Sequence, residues 1–211
     1  MFQPPLFRET RIDVMQALMK AHPFATLVSA ATGGLSADHI PLVIHPELSE
    51  NGNIRGHLAA ANPLWRKTER DVEVLAIFQG PHAYITPSWY ASKQEHGKVV
   101  PTWNYAVVHA HGVLRFCRDH DWLMEHLAEL TNRHEGNRAT PWAVTDAPAE
   151  FLERQLKGLV GFEIEVETLN GNWKVSQNKN DQDRVGVELG LLDENTADAA
   201  SMSDLVKRAA K

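Results

Sequence analysis

The chain has a single cysteine, Cys117, so no intrachain disulfide can form and a fold that depends on disulfide staples is excluded. It has no run of about 18 apolar residues, which removes a membrane-spanning helix. The first residues, MFQPPLFRET, carry no basic stretch followed by an apolar one, so no secretory leader is expected. Together these shortages lead to the expectation of a cytoplasmic protein with no membrane partner. Positive charge is also scarce: Lys and Arg total 21 against 27 Asp and Glu, a formal net charge of -6, which offers no broad attraction to a polyanion. DNA as a direct partner is therefore not favoured, and no helix-turn-helix spacing is evident. Tyrosine is rare, three in 211 residues, and all three lie between Tyr84 and Tyr105.

What is present is concentrated in that stretch. Gly80 to Tyr105, GPHAYITPSWYASKQEHGKVVPTWNY, adds Trp89, Trp103, His82, Ser88, Thr102, Asn104 and the prolines Pro81, Pro87 and Pro101. Tyr and Trp rings bury apolar area yet keep one hydrogen-bonding atom, so they can stack on a flat heteroaromatic molecule and orient its edge. The prolines reduce the ordering cost of such a loop. The competing reading is an aromatic core or interface, which such clusters form more often than ligand sites.

Around it the periodicities predict short strands with helices at the ends. Thr10 and Asp13 resemble a capping box for a helix over Thr10–Ala21. Phe24–Ser29, a Thr32-Gly33-Gly34 turn and Leu35–Ile44 read as a hairpin, followed by an Asn51-Gly52 turn and a strand over Ile54–Leu58. Asn62 and Pro63 read as the N-cap and first residue of a short helix through Lys67. Val72–Phe78 leads into the aromatic stretch, and a long strand returns from Val99 to Phe116 with His109 and His111 on one face. Asp119–Glu135 and Pro148–Leu156 read as two inserted helices, on which His120, His126 and His134 are expected at the surface. Phe162, Ile164 and Val166 alternate with Glu163, Glu165 and Glu167, and Asn170-Gly171 is expected to turn that strand back into Trp173–Ser176. Helices are expected from Asp181 or Gln182 to Leu191 and near Asp204–Lys211. Seven or so antiparallel strands with one helical insertion imply a closed or partly split β-barrel, mainly β with α.

Two further groups could carry chemistry. Lys174, Ser176 and Asn178 would share one face of a regular strand, a cation, a hydroxyl and an amide suited to a phosphate or a carbonyl; the alternative is a solvated edge strand. His109-x-His111, with His82 or His57 near in space, could bind a transition metal or haem, though no carboxylate or cysteine spacing completes a set. Ser88, Cys117 and His82 lack the partners that would activate them, so no catalytic residue is assigned.

Taken in order, HLAAANPLW, GPHAYITPSWY, VPTWNYAVVHAHG and GFEIEVETLNGNWKVSQNKNDQDRVGV resemble the signatures of the PaiB-type FMN-binding negative transcriptional regulators, over a span from MFQPPLF to about Leu192. The resemblance implies a flavin-binding split β-barrel of the pyridoxamine phosphate oxidase-like type over residues 1–192, with a helical insertion at about 119–157 and a tail with a short helix over 193–211. It further implies a homodimer with FMN near the subunit interface. Carried over by position, His57 and Asn62, with Arg55, are candidates for the phosphate end, and His39 and Pro41 would flank the ring system. Tyr84, Ser88, Trp89, Trp103 and Asn104 become candidates for the flavin or dimer wall, and Lys174, Gln177 and Arg184 for closing it. At the phosphate strand, where the oxidase relatives favour Arg, Lys or Ser, this chain has His57, Leu58 and Ala59, so weak phosphate binding and flavin-free samples are expected. The function implied is an FMN-binding regulator that senses flavin or redox state. The alternative is a flavin-dependent oxidoreductase acting on a small molecule, and haem or metal binding ranks last.

Overall fold

A computed structural model describes residues 1–31, 34–66 and 71–209. The strands are β1 (Arg8–Glu9), β2 (Phe24–Ala31), β3 (Gly34–Pro41), β4 (Val43–His45), β5 (Asn53–Ala59), β6 (Val72–Ile85), β7 (Thr102–Cys117) and β8 (Leu159–Lys174). The helices are α1 (Ile12–Ala21), α2 (Pro63–Arg66), α3 (Ser92–His96), α4 (His120–Glu135), α5 (Ala149–Lys157), α6 (Asp181–Asp193) and α7 (Ala197–Arg208). Hydrogen bonding orders the sheet β3-β2-β6-β7-β8-β5-β4, with β1 added on β8. Every pairing with a defined register is antiparallel.

The chain divides into two compact units, and the long strands β6, β7 and β8 each pass from one to the other. One unit comprises Pro23–Ile77 and Ala110–Leu169. In it β2 lies between β3 and β6, and β5 lies between β4 and β8. Leu27, Ile54, Phe162 and Ile164 are fully buried on the inner faces of these strands, with Leu42 between β3 and β4 buried beside them, while Glu163, Glu165 and Glu167 on β8 point the other way, as the alternation predicts. The other unit comprises Met1–His22, Phe78–His109 and Asn170–Lys211. Its core joins the end of β6 to α6 and α7 through Ile85, Tyr90, Val187, Leu191, Met202 and Val206.

Four local expectations fail for identifiable reasons. Asn170-Gly171 makes no turn: β8 runs straight through it, and neither residue has positive φ. Gly171 instead gives room, since a Cβ there would lie 2.8 Å from both Met15 Sδ and the Trp173 ring. The Thr10 capping box is absent because Glu9 Oε1 accepts from the amides of Thr10 and Arg11 (3.0 and 2.9 Å) and Arg11 becomes the N-cap. The strand expected over Leu35–Ile44 breaks between β3 and β4, after Pro41, which has no amide to donate, and Leu42 N donates to Pro23 O at 2.9 Å. Lys174, Ser176 and Asn178 share no strand face, because β8 ends at Lys174 and Ser176 has φ +65°. Thr32-Gly33 and Lys67 fall outside the described residues.

The two inserted helices form as expected, α4 capped by Asp119, whose carboxylate accepts from Trp122 N at 2.8 Å. Asn62 caps α2 by accepting from Leu64 N at 2.8 Å, with Pro63 first in the helix. The aromatic stretch is less of a loop than it reads. β6 extends to Ile85, a 3-10 turn covers Pro87–Trp89, and α3 ends at Gly97 with φ +65° before β7 begins.

Candidate functional site

In the unit that holds the chain ends, β6 and β7 present His82, Tyr84 and Trp103 to solvent. Trp103 is 54% exposed and Tyr84 49%, far more than rings of this size keep when they serve a core. They are ordered against one another. The His82 ring stacks on Trp103 with centroids 6.0 Å apart, and Tyr84 meets Trp103 edge-on at 6.1 Å. With Leu191, Glu194 and the first turn of α7 they line an open groove of about 550 Å³. The α7 end is fixed by Thr196, whose hydroxyl accepts from Ala199 N at 3.2 Å, and the first amides of a helix have no helical acceptor. Rings on one side and amide donors on another suit a flat molecule with a carbonyl edge.

The other residues assigned to this wall are engaged within the protein. Asn104 is buried and its Nδ2 donates to Ser176 Oγ at 2.9 Å. Lys174 Nζ donates to Thr102 Oγ1 and to Trp103 O, the latter at 2.7 Å, so it braces the backbone that carries Trp103. Burial and then Lys179 push its pKa down. Gln177 closes the turn after β8, accepting from Val175 N at 2.7 Å and donating to Trp173 O and Leu6 O. Arg184 is held by Asp181 and by Lys179 O. Trp89 packs on α6, where a Cβ at Gly190 would lie 2.4 Å from its ring and one at Gly186 would lie 1.9 Å from its carbonyl oxygen. Only Ser88 is exposed, with Lys93 Nζ donating to its hydroxyl at 3.2 Å.

In the second unit the residues assigned to the phosphate end and the ring flank fall into two groups. His39 on β3 lies against Phe24, with ring centroids 6.1 Å apart, and Pro41 ends that strand. Asn62 Nδ2 donates to Asp38 Oδ1 at 2.8 Å. Arg55 and His57 lie on the face of β5 that α4 covers. Arg55 Nε is 2.8 Å from Glu163 Oε1 and its guanidinium sits 5.5 Å from the centre of the Trp122 ring. His57 Nδ1 is 3.1 Å from His126 Nε2. His126 is not at the surface: it is wholly buried, because Trp122, four residues earlier on the same helix face, stacks on it and carries it onto the sheet. Sequence reasoning missed this residue, and the Trp122–His126 spacing was the available signal.

His109 and His111 are half-buried on β7. Among the described residues no group of three or more His, Cys, Asp or Glu could hold a metal, so the histidine reading gains no ligand set.

Residues 1–168 match the family described as "Putative FMN-binding domain". The chain belongs to this FMN-binding family. Its sequence is 35% identical over 207 residues to "Protease synthase and sporulation protein PAI 2" of Bacillus subtilis, covering 98% of this chain and 97% of that one, so the PaiB-type resemblance holds. An uncharacterized protein of Emericella nidulans is 32% identical over 242 residues, covering 98% of this chain and 96% of its own length. Among solved structures, the FAD and heme binding protein of Mycobacterium smegmatis superposes with a TM-score of 0.59 at 12% identity, covering 79% of this chain and 73% of that one. A conserved hypothetical protein of Mycobacterium tuberculosis gives 0.56 at 12% identity, with coverage of 85% and 94%. The fold of this FMN-binding family member is therefore a split β-barrel with helices, and FMN is its cofactor.

The groove fits part of that cofactor. Its volume lies in the range of small-molecule sites, and exposed rings that already stack on each other are suited to a tricyclic isoalloxazine. Its described lining contains no Lys or Arg and carries Glu194 and Asp198, so it offers a phosphate no cation.

Proposed function

We propose that this protein is an FMN-binding regulator of gene expression that works as a homodimer, with the flavin ring seated against Trp103, Tyr84 and His82. The observation that carries the reading is the exposed, mutually ordered ring wall of the groove. Stacking on Trp103 orients the ring system, and donors from the first turn of α7 suit its carbonyl edge. Lys174 positions Trp103 by holding its carbonyl oxygen. When bound, FMN supplies hydride and electron chemistry, and the protein's part is to bind, orient and shield it. Open exposure of Tyr84 and Trp103 in the single chain also supports a second copy covering this face.

The regulatory part of the reading is supported by the name of the Bacillus subtilis relative, a sporulation protein. The net charge of -6 favours control through a protein or a redox signal over direct DNA contact. Titrating FMN into the purified protein while following flavin fluorescence tests the site. Quenching on binding, lost in Trp103→Ala with the fold intact, supports it. Equal affinity in wild type and Trp103→Ala removes the ring wall from the flavin site.

A further inference from the structure

Under α4 is an imidazole pair, His126 fully buried and His57 half-buried, that is not part of the ring wall of the groove. Trp122 sits in a cradle on β8, where a Cβ at Gly161 would lie 2.2 Å from its ring, and its Nε1 donates to Glu163 Oε1 at 2.9 Å. One turn later His126 reaches the sheet, fully buried, with its Nε2 3.1 Å from His57 Nδ1. The other ring nitrogen, His126 Nδ1, is buried with no hydrogen-bond partner.

The neutral pair has two arrangements, and the one in which His57 Nδ1–H donates leaves a buried N–H on His126 Nδ1 without an acceptor. A neutral imidazole carries one N–H, and only one proton can lie between two facing nitrogens. If His126 Nε2–H donates to His57 Nδ1, His126 Nδ1 is a bare lone pair, the less costly atom to bury unpaired. Adding a proton to His126 puts an N–H on Nδ1, where no acceptor exists. Adding it to His57 places a second proton between the facing nitrogens unless His126 moves its own to Nδ1, which gives the same orphan. Either route leaves a buried donor unpaired and a charge out of water.

We propose that the His57–His126 pair is a proton-operated latch: α4 docks on β5 and β8 only while the pair is uncharged, and uptake of one proton releases the helix.

The surrounding charges agree. Burial lowers the pKa of both imidazoles, His126 to about 4, with His57, Arg55 and His45 as further causes. Because the docked value lies below the ordinary 6.5, the undocked state takes the proton first. Docking is complete above about pH 6.5 and weakens as pH falls toward 4. The groups facing the pair are Arg55 on β5, Glu163 on β8, His45 on β4 and Glu129 on α4. Two ion-pair contacts lie beside the pair: His45 Nε2 is 3.2 Å from Glu129 Oε2, and Nδ1 is 3.1 Å from Glu47 Oε1. Both carboxylates are well exposed and screened by water, whereas His126 is not exposed at all, so the latch outweighs them. The bridge from His120 to Glu153 on α5 is likewise exposed.

Hydrogen exchange of the intact chain at about pH 7.5 and pH 5, corrected for intrinsic rates, tests the proposal. α4 should lose protection by about thirtyfold while the β8 core keeps its own. In His126→Leu, which fills the site without a titrating group, α4 protection should not change with pH. Equal α4 protection at both pH values in the wild type, or the same acid loss in His126→Leu, would overturn the latch. Should that variant not fold, side-chain NMR of the wild type decides. A His126 ring that titrates together with α4 release supports it, and one that titrates near 6.5 with α4 still protected rules it out.

Discussion

The protein uses the same ring types in two opposite ways. At the groove, His82, Tyr84 and Trp103 stack on one another but stay open to solvent, and little beyond the Lys174 brace fixes them. Beneath α4, His57, His126 and Trp122 also pack ring on ring, yet His126 is fully buried, the two imidazoles face each other and Trp122 Nε1 donates to Glu163, which leaves His126 Nδ1 as the one buried nitrogen of these rings without a partner. What separates a binding surface from a structural joint is therefore unspent contact area, more than the presence of aromatics. If the groove seats the flavin as proposed, removing one of its rings should cost little stability and much ligand affinity. A ring in the joint should show the reverse.

The largest effect that would break this contrast lies in the joint. Gly161→Val puts side-chain atoms where the Trp122 ring lies, and unfolding by urea should show a loss of ~3 kcal/mol or more; a loss below ~0.5 kcal/mol would mean that α4 is not seated there. Next comes the groove. Trp103→Ala should weaken FMN binding about tenfold or more, with thermal unfolding shifted by only a few degrees. Asp183→Ala probes a third kind of site, a buried carboxylate that accepts from Ser92 N and Oγ at 2.9 and 2.7 Å, and should cost ~2 kcal/mol in stability without touching flavin affinity. The smallest effect sharpens the comparison of cofactor parts: riboflavin should bind within about tenfold of FMN, because the described residues of the groove lining present carboxylates and no cation to the phosphate. A FMN preference of a thousandfold would place a cationic phosphate site elsewhere in the assembly.

Much of the fold was legible because its residues obey simple periods. The Phe162-Ile164-Val166 alternation placed the first part of β8 correctly, and Asn62-Pro63 and Asp119 marked helix starts that form as expected. Local signals failed where tertiary contacts decide. Asn170-Gly171 has the composition of a tight turn, but pairing of Asn172 and Gly171 with β1 keeps the strand extended, and the glycine is required by Met15 and Trp173. Of the site, Tyr84 and Trp103 were visible as an aromatic concentration. The engagement of Asn104, Lys174 and Gln177 in internal bonds was not, since a donor's partner 70 or more residues away leaves no local trace. His126 was misplaced for a related reason: a histidine on a mixed-charge helix reads as a surface residue until its partner on another strand is known.

The central claim is that the exposed ring wall is the flavin-binding surface. Its most direct test is a fluorescence titration of FMN into wild type and Trp103→Ala, with circular dichroism confirming both folds. The account predicts saturable quenching of flavin emission in the wild type and at least a tenfold weaker midpoint in the variant. Indistinguishable midpoints in two folded proteins would contradict it and move the cofactor away from the groove.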